Sequence, residues 1–407
     1  MNIKELQELN QLAQQEGKGY RHQRWLYSSL RNDTGRSFLG IIGSRGSGKT
    51  VLLKQIAAEE ESSFYISLDT LLTGPTDYNL PEVNLFQLVK ELSSQYGVKL
   101  FLIDEVHHCT DVHAELKKIY DFLKVRIIFT SSVALKMQET SHDLSRRVRL
   151  LSLSMLSFRE YLLFTQEQQL SVLTLKEVIE GALPAKYMQF EYLFEDYLRE
   201  KLLSFALEEK EALPLLNNIL SKVIEKDIPS VRDLKTSELG TIKKLVEFIG
   251  KSPVEGINPS SLSSNLGMTK YKASQYLDLL EQSFIVKQIE ARGTNVLKEP
   301  KVLMTPPYRL LYSEYEAAKG GLREDYVAEM LKSIGHSFYY LKNKEGEKCP
   351  DFLLEGFSER VIIEVGGAGK GTNQFKGLKG SFKKIVLQPD SGNIGPSRPL
   401  SALGFLY

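Results

Sequence analysis

A glycine-rich phosphate-binding motif is the clearest chemical signal in the chain. Residues 43–50 read GSRGSGKT, the complete G-x-x-x-x-G-K-[ST] pattern, and they follow an apolar run, residues 38–42, that predicts a buried strand. Glycines at this spacing let successive backbone N–H groups close around the α- and β-phosphates, and the next helix directs its positive dipole end at the same anion. Lys49 should reach the β- and γ-phosphate oxygens, and Thr50 should offer its hydroxyl to Mg²⁺. The residues predicted to bind the nucleotide are Gly43, Ser44, Arg45, Gly46, Ser47, Gly48, Lys49, Thr50 and Val51.

A second predicted strand ends in two neighbouring carboxylates. Residues 99–105 read KLFLIDE, and phosphoryl transfer needs both a metal anchor and a group that positions water. We expect Asp104 to hold Mg²⁺ and Glu105 to polarise the attacking water.

Two further candidates follow along the chain. Thr130 and Ser131 end the apolar run 125–132, where a polar side chain could sense the γ-phosphate. The basic cluster at residues 145–150, SRRVRL, could supply an arginine finger in cis or in trans, with Arg147 as the candidate. The same cluster is also typical of a solvated or nucleic-acid-facing edge. The predicted catalytic residues are Lys49, Glu105, Arg147 and Ser131.

Four apolar runs must position these groups. The runs at residues 38–42, 64–69, 99–105 and 125–132 predict a parallel sheet, whose strands end in polar residues where a ligand crevice is expected. The first part of the chain is therefore predicted to be an α/β nucleotide-binding core.

Length and composition bound the interpretation. The chain has 407 residues, enough for two or three domains, and a formal net charge of +1, so any binding to nucleic acid must come from a local patch. Two cysteines, Cys109 and Cys349, cannot form a disulfide framework and suit a reducing compartment. The first residues lack the apolar core of a signal peptide, and no run reaches eighteen apolar residues, so we expect a cytoplasmic protein without membrane contact.

The pattern changes after residue 152. Helical periodicity dominates to about residue 250, and residues 259–280 parse as a capped helix, a turn at Gly267 and a second helix, with a strand expected at 284–286. This order is typical of a winged helix-turn-helix. The second helix begins with polar residues suited to phosphate and base contact, yet such folds also dock proteins, and both alternatives stay open. These residues are Thr269, Lys270, Lys272, Ser274 and Gln275.

The last hundred residues look like a PD-(D/E)xK nuclease core. A helix at 322–331 precedes two strands that carry Asp351 and Glu364, and a basic helix is expected from residue 373. In such cores two carboxylates hold Mg²⁺ and a lysine two residues past the glutamate activates water, but here that position is Gly366. Lys342, Lys344 or Lys370 could replace the lysine, and Glu324 or Glu329 could supply an upstream carboxylate. A degenerate fold kept for binding is the alternative, and a basic run keeps a nucleic-acid role open: Lys370, Lys376, Lys379, Lys383 and Lys384.

Taken in order, these parts resemble prokaryotic AAA-type P-loop ATPases that carry a C-terminal winged helix and a nuclease-like domain of unknown function. The resemblance rests on the motifs above, on an arginine-bearing helix at Arg21 and Arg24, and on residues 156–160 and 225–228. It implies ATP binding and hydrolysis, without a substrate. Two departures stand out: Arg199 to Leu202 replace the usual Gly-Gly turn and proline, and Gly366 replaces the terminal lysine.

The sequence thus predicts four segments: a P-loop ATPase core (1–152), a helical lid and connector (153–250), a winged helix (251–305) and a nuclease-like α/β domain (306–407). We interpret the chain as a Mg²⁺-dependent ATPase that couples nucleotide state to a nucleic-acid-binding or effector module. The alternative is an ATP-gated DNA- or RNA-binding regulator or defence protein with a degenerate or active nuclease domain. DNA or RNA would bind through the winged helix and the basic helix, and a finger in trans would require a homo-oligomer or a protein partner.

Overall fold

The computed structural model describes residues 3–72, 84–133, 144, 146–292, 299–341, 349–367, 375, 381–389 and 392–407. The chain divides into two compact units, Met1–Met155 and Leu156–Tyr407. Among the described residues, no helix is both long and apolar enough to span a lipid bilayer.

The first unit is built on a parallel five-stranded sheet with strand order β2-β3-β4-β1-β5. Strands β1 and β3 are buried along their whole length, which explains why they read as continuous apolar runs. Because all five strands are parallel, their carboxyl ends meet at one edge, as a nucleotide-binding core requires. The strands are β1 (Phe38–Ile42), β2 (Ser63–Ser67), β3 (Leu100–Asp104), β4 (Arg126–Ser131) and β5 (Val148–Ser152).

Six helices of the described residues surround this sheet: α1 (Ile3–Gly19), α2 (Tyr27–Arg31), α3 (Lys49–Glu59), α4 (Leu68–Leu72), α5 (Leu85–Tyr96) and α6 (Val112–Phe122). Helix α1 packs closely on α3, since a Cβ added at Gly17 would lie 2.0 Å from the carbonyl oxygen of Lys54. The arginine-bearing helix predicted at Arg21 and Arg24 is wrong, because α1 ends at Gly19. Glycine is a poor helix former, and Gly17 and Gly19 favour an end to the helix here.

The second unit is mostly helical in its first half. Its helices are α7 (Phe158–Gln166), α8 (Leu175–Glu180), α9 (Ala185–Met188), α10 (Phe194–Glu200), α11 (Ala212–Lys222), α12 (Thr236–Lys251), α13 (Pro259–Leu266), α14 (Lys270–Gln282), α15 (Pro306–Arg309) and α16 (Tyr315–Ser333). Short 3-10 turns lie at Glu191–Leu193, Ser204–Leu207 and Leu400–Phe405, and a π-helical turn at Val223–Asp227.

Helices α13 and α14 are followed by an antiparallel ribbon. Asn258 caps α13, and Gly267 ends it with φ +64°, a left-handed value that favours glycine. Thr269 caps α14 by accepting a hydrogen bond from the Lys272 backbone N–H. The ribbon consists of β6 (Val286–Ile289) and β7 (Lys301–Met304), so the strand expected at 284–286 starts two residues later.

A second five-stranded sheet, with order β12-β11-β10-β9-β8, occupies the end of the chain. Its strands are β8 (Phe338–Tyr340), β9 (Phe352–Leu354), β10 (Val361–Val365), β11 (Lys383–Gln388) and β12 (Ser397–Pro399). The strands from β8 to β10 run antiparallel, and those from β10 to β12 run parallel.

Lys383 and Lys384 begin β11, so the basic helix expected from residue 373 does not extend to these two lysines. Residues 385–387 are buried, include β-branched side chains and pair with β10, and this pairing makes the segment a strand. Three other residues of the basic run, Lys370, Lys376 and Lys379, lie outside the described residues, as do Lys342 and Lys344.

An aromatic core joins the two ends of the second unit. The ring of Phe158 packs edge-on against Phe194 at 5.3 Å and against Phe405 at 5.5 Å between centroids. Tyr326 of α16 packs edge-on against Phe194 at 5.4 Å. The predicted boundaries at 250 and 305 therefore subdivide a unit whose first and last segments share one core.

Candidate nucleotide-binding site

The loop between β1 and α3 takes a shape that only glycine allows at several positions. Gly46 and Gly48 have φ values of +78° and +93°. A Cβ added at Gly43 would lie 2.4 Å from the carbonyl oxygen of Leu153. Gly48 is the N-cap residue of α3, so the predicted phosphate-binding residues from Gly43 to Val51 wrap the amino end of an eleven-residue helix.

Lys49 folds back onto this loop. Its ammonium donates to the carbonyl oxygens of Gly43 at 2.8 Å and Ser44 at 2.9 Å, and the residue is buried. The loop carbonyls therefore hold the charge of Lys49 beside the helix amino end, where an anion would meet it.

Arg24 holds the phosphate-binding loop through hydrogen bonds to backbone carbonyl oxygens. Its buried guanidinium donates to the carbonyl oxygen of Ser47, and also to those of Ser154 at 2.9 Å and Met155 at 3.0 Å. The segment before β1 and the segment after β5 are thereby tied to the phosphate-binding loop. Sequence reasoning noticed Arg24 only as part of a family pattern, because nothing in the sequence signals a contact across 23 residues.

Asp104 is a buried carboxylate that collects three hydroxyl donors. Thr50 donates to its Oδ2 at 2.8 Å, Tyr65 donates to the same oxygen at 3.0 Å, and Thr130 donates to Oδ1. Burial raises the pKa of Asp104, the hydrogen bond from Thr130 opposes that rise, and the negative charge of Glu105 adds to it. Sequence reasoning missed Tyr65, whose phenol pKa is raised by burial and by Asp104, so that it stays a donor.

Glu105 lies at the end of the same strand in a left-handed backbone conformation, with φ +52°. The backbone N–H of Ser132 donates to its Oε2 at 3.0 Å, while Arg45 lies 3.8 Å from Oε1. Its own backbone N–H donates to the Thr130 hydroxyl at 3.0 Å. The carboxylate of Glu105 and the hydroxyl of Thr130 thus link β3 to the end of β4.

His107 is a further residue of the site that sequence reasoning did not assign to it, although it lies only two positions after Glu105. Its Nδ1 lies 3.2 Å from Glu105 Oε2. Burial alone would raise the pKa of Glu105, but the hydrogen bond with His107 and the positive charges of Lys49 and Arg45 outweigh it and hold that pKa well below its usual range. Glu105 is therefore a carboxylate at neutral pH.

Ser131, the predicted γ-phosphate sensor, makes different contacts from its neighbour Thr130. The Ser131 hydroxyl lies 3.3 Å from His107 Nδ1, donates to the Val133 carbonyl oxygen at 3.2 Å and accepts from the Val133 N–H at 3.1 Å. Thr130 is the residue that contacts Asp104, so a sensing role for Ser131 stays a prediction.

Arg147 lies at the amino ends of the strands, opposite the end that carries the phosphate-binding loop. It directly precedes β5, and its carbonyl oxygen accepts a hydrogen bond from the N–H of Phe38, the first residue of β1. Its guanidinium pairs with both carboxylate oxygens of Asp121, at 3.0 and 3.1 Å. Because five strand residues span about 16 Å, Arg147 and its own phosphate-binding loop lie at opposite ends of the strands. A role for Arg147 as an arginine finger, in cis or in trans, stays a prediction.

The donors at the loop suit a hard cation bound together with phosphates. Mg²⁺ prefers oxygen ligands and usually keeps few protein contacts beside waters and substrate phosphates. The hydroxyl of Thr50 and the carboxylate of Asp104 lie 2.8 Å apart and supply this chemistry. These two residues therefore fit the chemistry of a Mg²⁺ ion bound together with a nucleotide.

The two carboxylates predicted for a nuclease-like site also come together, in the second unit. Asp351 precedes β9, its Oδ2 accepts a hydrogen bond from the Val365 N–H at 2.7 Å, and Glu364 is buried in β10 next to Val365. Glu324 of α16 is paired with Lys301 of β7 at 2.7 Å. No group of three or more His, Cys, Asp or Glu side chains within the described ranges is arranged to hold a metal ion.

Comparison with known proteins identifies the family. The chain is 30% identical over 385 residues to "Uncharacterized protein MJ1637" of Methanocaldococcus jannaschii, an alignment that covers 85% of this chain and 78% of the archaeal protein. The chain belongs to the MJ1637 family. Within this MJ1637-family chain, residues 35–162 match the model of an AAA domain, and residues 202–306 match a domain of unknown function, DUF8612. The first unit therefore carries an AAA-type P-loop ATPase domain.

Solved structures show looser similarity to this MJ1637-family member. A Walker-type ATPase of Pyrococcus abyssi is 12% identical with a TM-score of 0.37, covering 70% of this chain and 92% of its own. DnaA of Aquifex aeolicus bound to AMPPCP is 16% identical with a TM-score of 0.25, covering 64% and 86% respectively.

Proposed function

We propose that this protein binds ATP with Mg²⁺ and hydrolyses it. The observation that carries the proposal is the contact of Thr50 with Asp104 at 2.8 Å, which joins the phosphate-binding loop to the carboxylate end of β3. Glu105 follows Asp104 directly and is ionised, as a residue that accepts or orients a proton of water must be. In this proposal the residue that anchors the metal, Asp104, and the residue that positions water, Glu105, are therefore neighbours at the end of β3.

Each residue of the site has one role in this proposal. The loop from Gly43 to Val51 binds the phosphates, and Lys49 stabilises charge on the transferred phosphoryl group. Thr50 and Asp104 would hold Mg²⁺, which would supply positive charge to offset the charge of the phosphates. Glu105 positions the attacking water, and Ser131 contributes as a polar sensor.

A role for Arg147 as an arginine finger requires a second copy of the chain. In this proposal its guanidinium leaves Asp121 and enters the nucleotide site of a neighbouring subunit. ATP hydrolysis that rises more steeply than linearly with protein concentration would support this role. An Arg147→Ala variant with unchanged turnover would exclude it.

We further propose that residues 251–305 act as a winged helix that responds to nucleotide state. The order of α13, α14 and the β6–β7 ribbon supports this assignment. The two lysines at the start of α14 are paired within the protein, Lys272 with Glu238 at 3.0 Å and Lys270 with Glu299. Contact with nucleic acid through α14 would have to break these pairs, so the charge available for phosphate binding is small.

Steady-state phosphate release tests the proposal and its alternative together. Hydrolysis that depends on Mg²⁺ and changes when DNA or RNA is added supports an ATPase coupled to nucleic acid. Slow hydrolysis that no nucleic acid changes favours a regulator in which ATP acts as a conformational ligand. Absence of ATP binding in calorimetry would refute both.

A further inference from the structure

One cluster in the second unit contains the carboxylates of a nuclease-like site together with a lysine from an unexpected element. The Lys301 ammonium of β7 lies 2.7 Å from Glu324 Oε2 and 5.7 Å from the ring centroid of Phe352, which directly follows Asp351. Both side chains of the Lys301–Glu324 pair are nearly buried, at 12% and 13% exposure. The ammonium is therefore paired with a carboxylate of α16, and its charge also interacts with Asp351, the residue before β9.

One oxygen of Asp351 is already engaged by the protein. Its Oδ2 accepts the Val365 N–H at 2.7 Å. Asp351 lies close enough to Lys301, Glu324 and Glu364 for its charge to interact with each of them.

We propose that the Lys301 ammonium takes the place that a divalent cation holds in nuclease-type sites, so that this cluster binds no metal and cleaves no nucleic acid. One positive charge among buried carboxyls lowers their mutual repulsion and is fixed by the fold itself. The lysine missing at Gly366 is thereby explained, because a site without a metal-activated water has no use for it.

The same cluster has a structural role. Lys287 on the neighbouring strand β6 pairs with Glu329, which lies on α16 as Glu324 does, and donates to the Thr305 hydroxyl at 3.1 Å. Two buried lysine–glutamate pairs thus fasten the β6–β7 ribbon to α16. Lys287→Met is therefore a matched control, because it removes an equally buried ammonium that pairs with Glu329.

The test is Mn²⁺ binding by the full chain without nucleotide, measured by calorimetry. An Asp104→Asn background removes the proposed metal ligand of the nucleotide site. We expect no saturable Mn²⁺ binding by the chain with native Lys301, and binding at least tenfold tighter for Lys301→Met, because the carboxyls then lack a cation. This gain should disappear in Lys301→Met/Asp351→Asn and should not occur in Lys287→Met.

Two results would overturn the proposal. The first is stoichiometric Mn²⁺ binding with Lys301 present that Asp351→Asn abolishes, since lysine and metal would then share the site. The second is a folded Lys301→Met variant that gains no Mn²⁺ binding. Where Lys301→Met does not fold, Lys301→Gln serves the same comparison with a side chain that keeps a hydrogen-bond donor. Because no ATP is present, failure here leaves the proposed ATPase activity untouched.

Discussion

The Thr50 hydroxyl donates to Asp104 Oδ2 at 2.8 Å, although 54 positions separate the two residues in the chain. Thr50 belongs to the first turn of α3, and Asp104 ends β3. Strand β4 lies between β1 and β3 in the sheet, so the contact exists because the phosphate-binding loop and the end of β3 share one edge.

Replacing Lys49 by Ala should weaken ATP binding by about 100-fold or more, because a charge-assisted contact to phosphate is lost in a nearly buried setting. Isothermal titration calorimetry with a non-hydrolysable ATP analogue measures the change. Lys54→Ala is the matched control, since Lys54 lies on the same helix but pairs with Glu16 at 2.7 Å. Undiminished affinity in Lys49→Ala would contradict the proposed site.

Glu105→Gln should leave nucleotide binding intact and lower kcat by about 100-fold or more, as expected for loss of a group that accepts or orients a proton. Gln keeps an oxygen for the Ser132 N–H, so the loop should keep its shape. Phosphate release and calorimetry together separate the two effects. Normal turnover in this variant would remove Glu105 from its proposed role.

Arg24→Ala should destabilise the first unit and raise the KM for ATP more than it lowers kcat. The change removes the guanidinium that donates to the carbonyl oxygens of Ser47, Ser154 and Met155, and such a loss costs about 1–3 kcal/mol for a buried polar group. Urea unfolding and steady-state kinetics measure the two effects. The control is Arg31→Ala, whose pair with Glu60 at 3.1 Å is more exposed. If both variants behave alike, Arg24 does not position the loop.

Asp104→Asn should raise the Tm of the nucleotide-free protein at neutral pH. Folding raises the pKa of Asp104, chiefly through burial. The group therefore destabilises the folded protein increasingly as the pH rises from the pKa of Asp104 in the unfolded chain, about 4, through its higher pKa in the folded protein. The Tm of the variant minus that of wild type should therefore grow as the pH rises above about 4 and then level off.

A control with the opposite sign accompanies this comparison. The hydrogen bond from Arg147 lowers the pKa of Asp121, so that carboxylate stabilises the fold above its unfolded pKa and loses this effect as the pH falls. Asp121→Asn should therefore lower the Tm at neutral pH and matter less in acid. A Tm difference for Asp104→Asn that is independent of pH would contradict the assigned pKa direction.

Arg309→Met should cost about 3–5 kcal/mol of unfolding free energy in the second unit, because it leaves the buried Asp325 without the arginine that pairs with it. Arg309 pairs with the fully buried Asp325 through two contacts, 2.5 and 3.2 Å long, and also donates to the Ser252 carbonyl oxygen at 3.2 Å. Arg309→Met/Asp325→Leu should recover part of the loss. Chemical denaturation measures the unfolding free energy of both variants. The exposed Lys319–Glu316 pair supplies the control variant, Lys319→Met. If Arg309→Met loses no more unfolding free energy than Lys319→Met, the result would be inconsistent with a buried ion pair.

The nucleotide-binding core was predictable from sequence because its signals are local. A phosphate-binding loop needs glycines at fixed spacing, and a parallel strand buried on both faces reads as an apolar run, so β1 begins and ends at the predicted residues. The DE pair was recognisable for the same reason, since strand and carboxylates are adjacent in the chain. The β11 strand was missed because its lysines suggested a helix, whereas pairing with β10 decided the conformation.

The amino-acid sequence by itself therefore determined which residues can bind phosphate and which carboxylates stand at strand ends. Only the tertiary structure decided the partners of those residues: Arg24 beneath the loop, Tyr65 and Thr130 on Asp104, His107 on Glu105, Asp121 on Arg147, and Lys301 beside Glu324 and Asp351. The physical reason is that a hydrogen bond or an ion pair depends on separation in space. Residues far apart in the chain acquire that separation only when the sheets form.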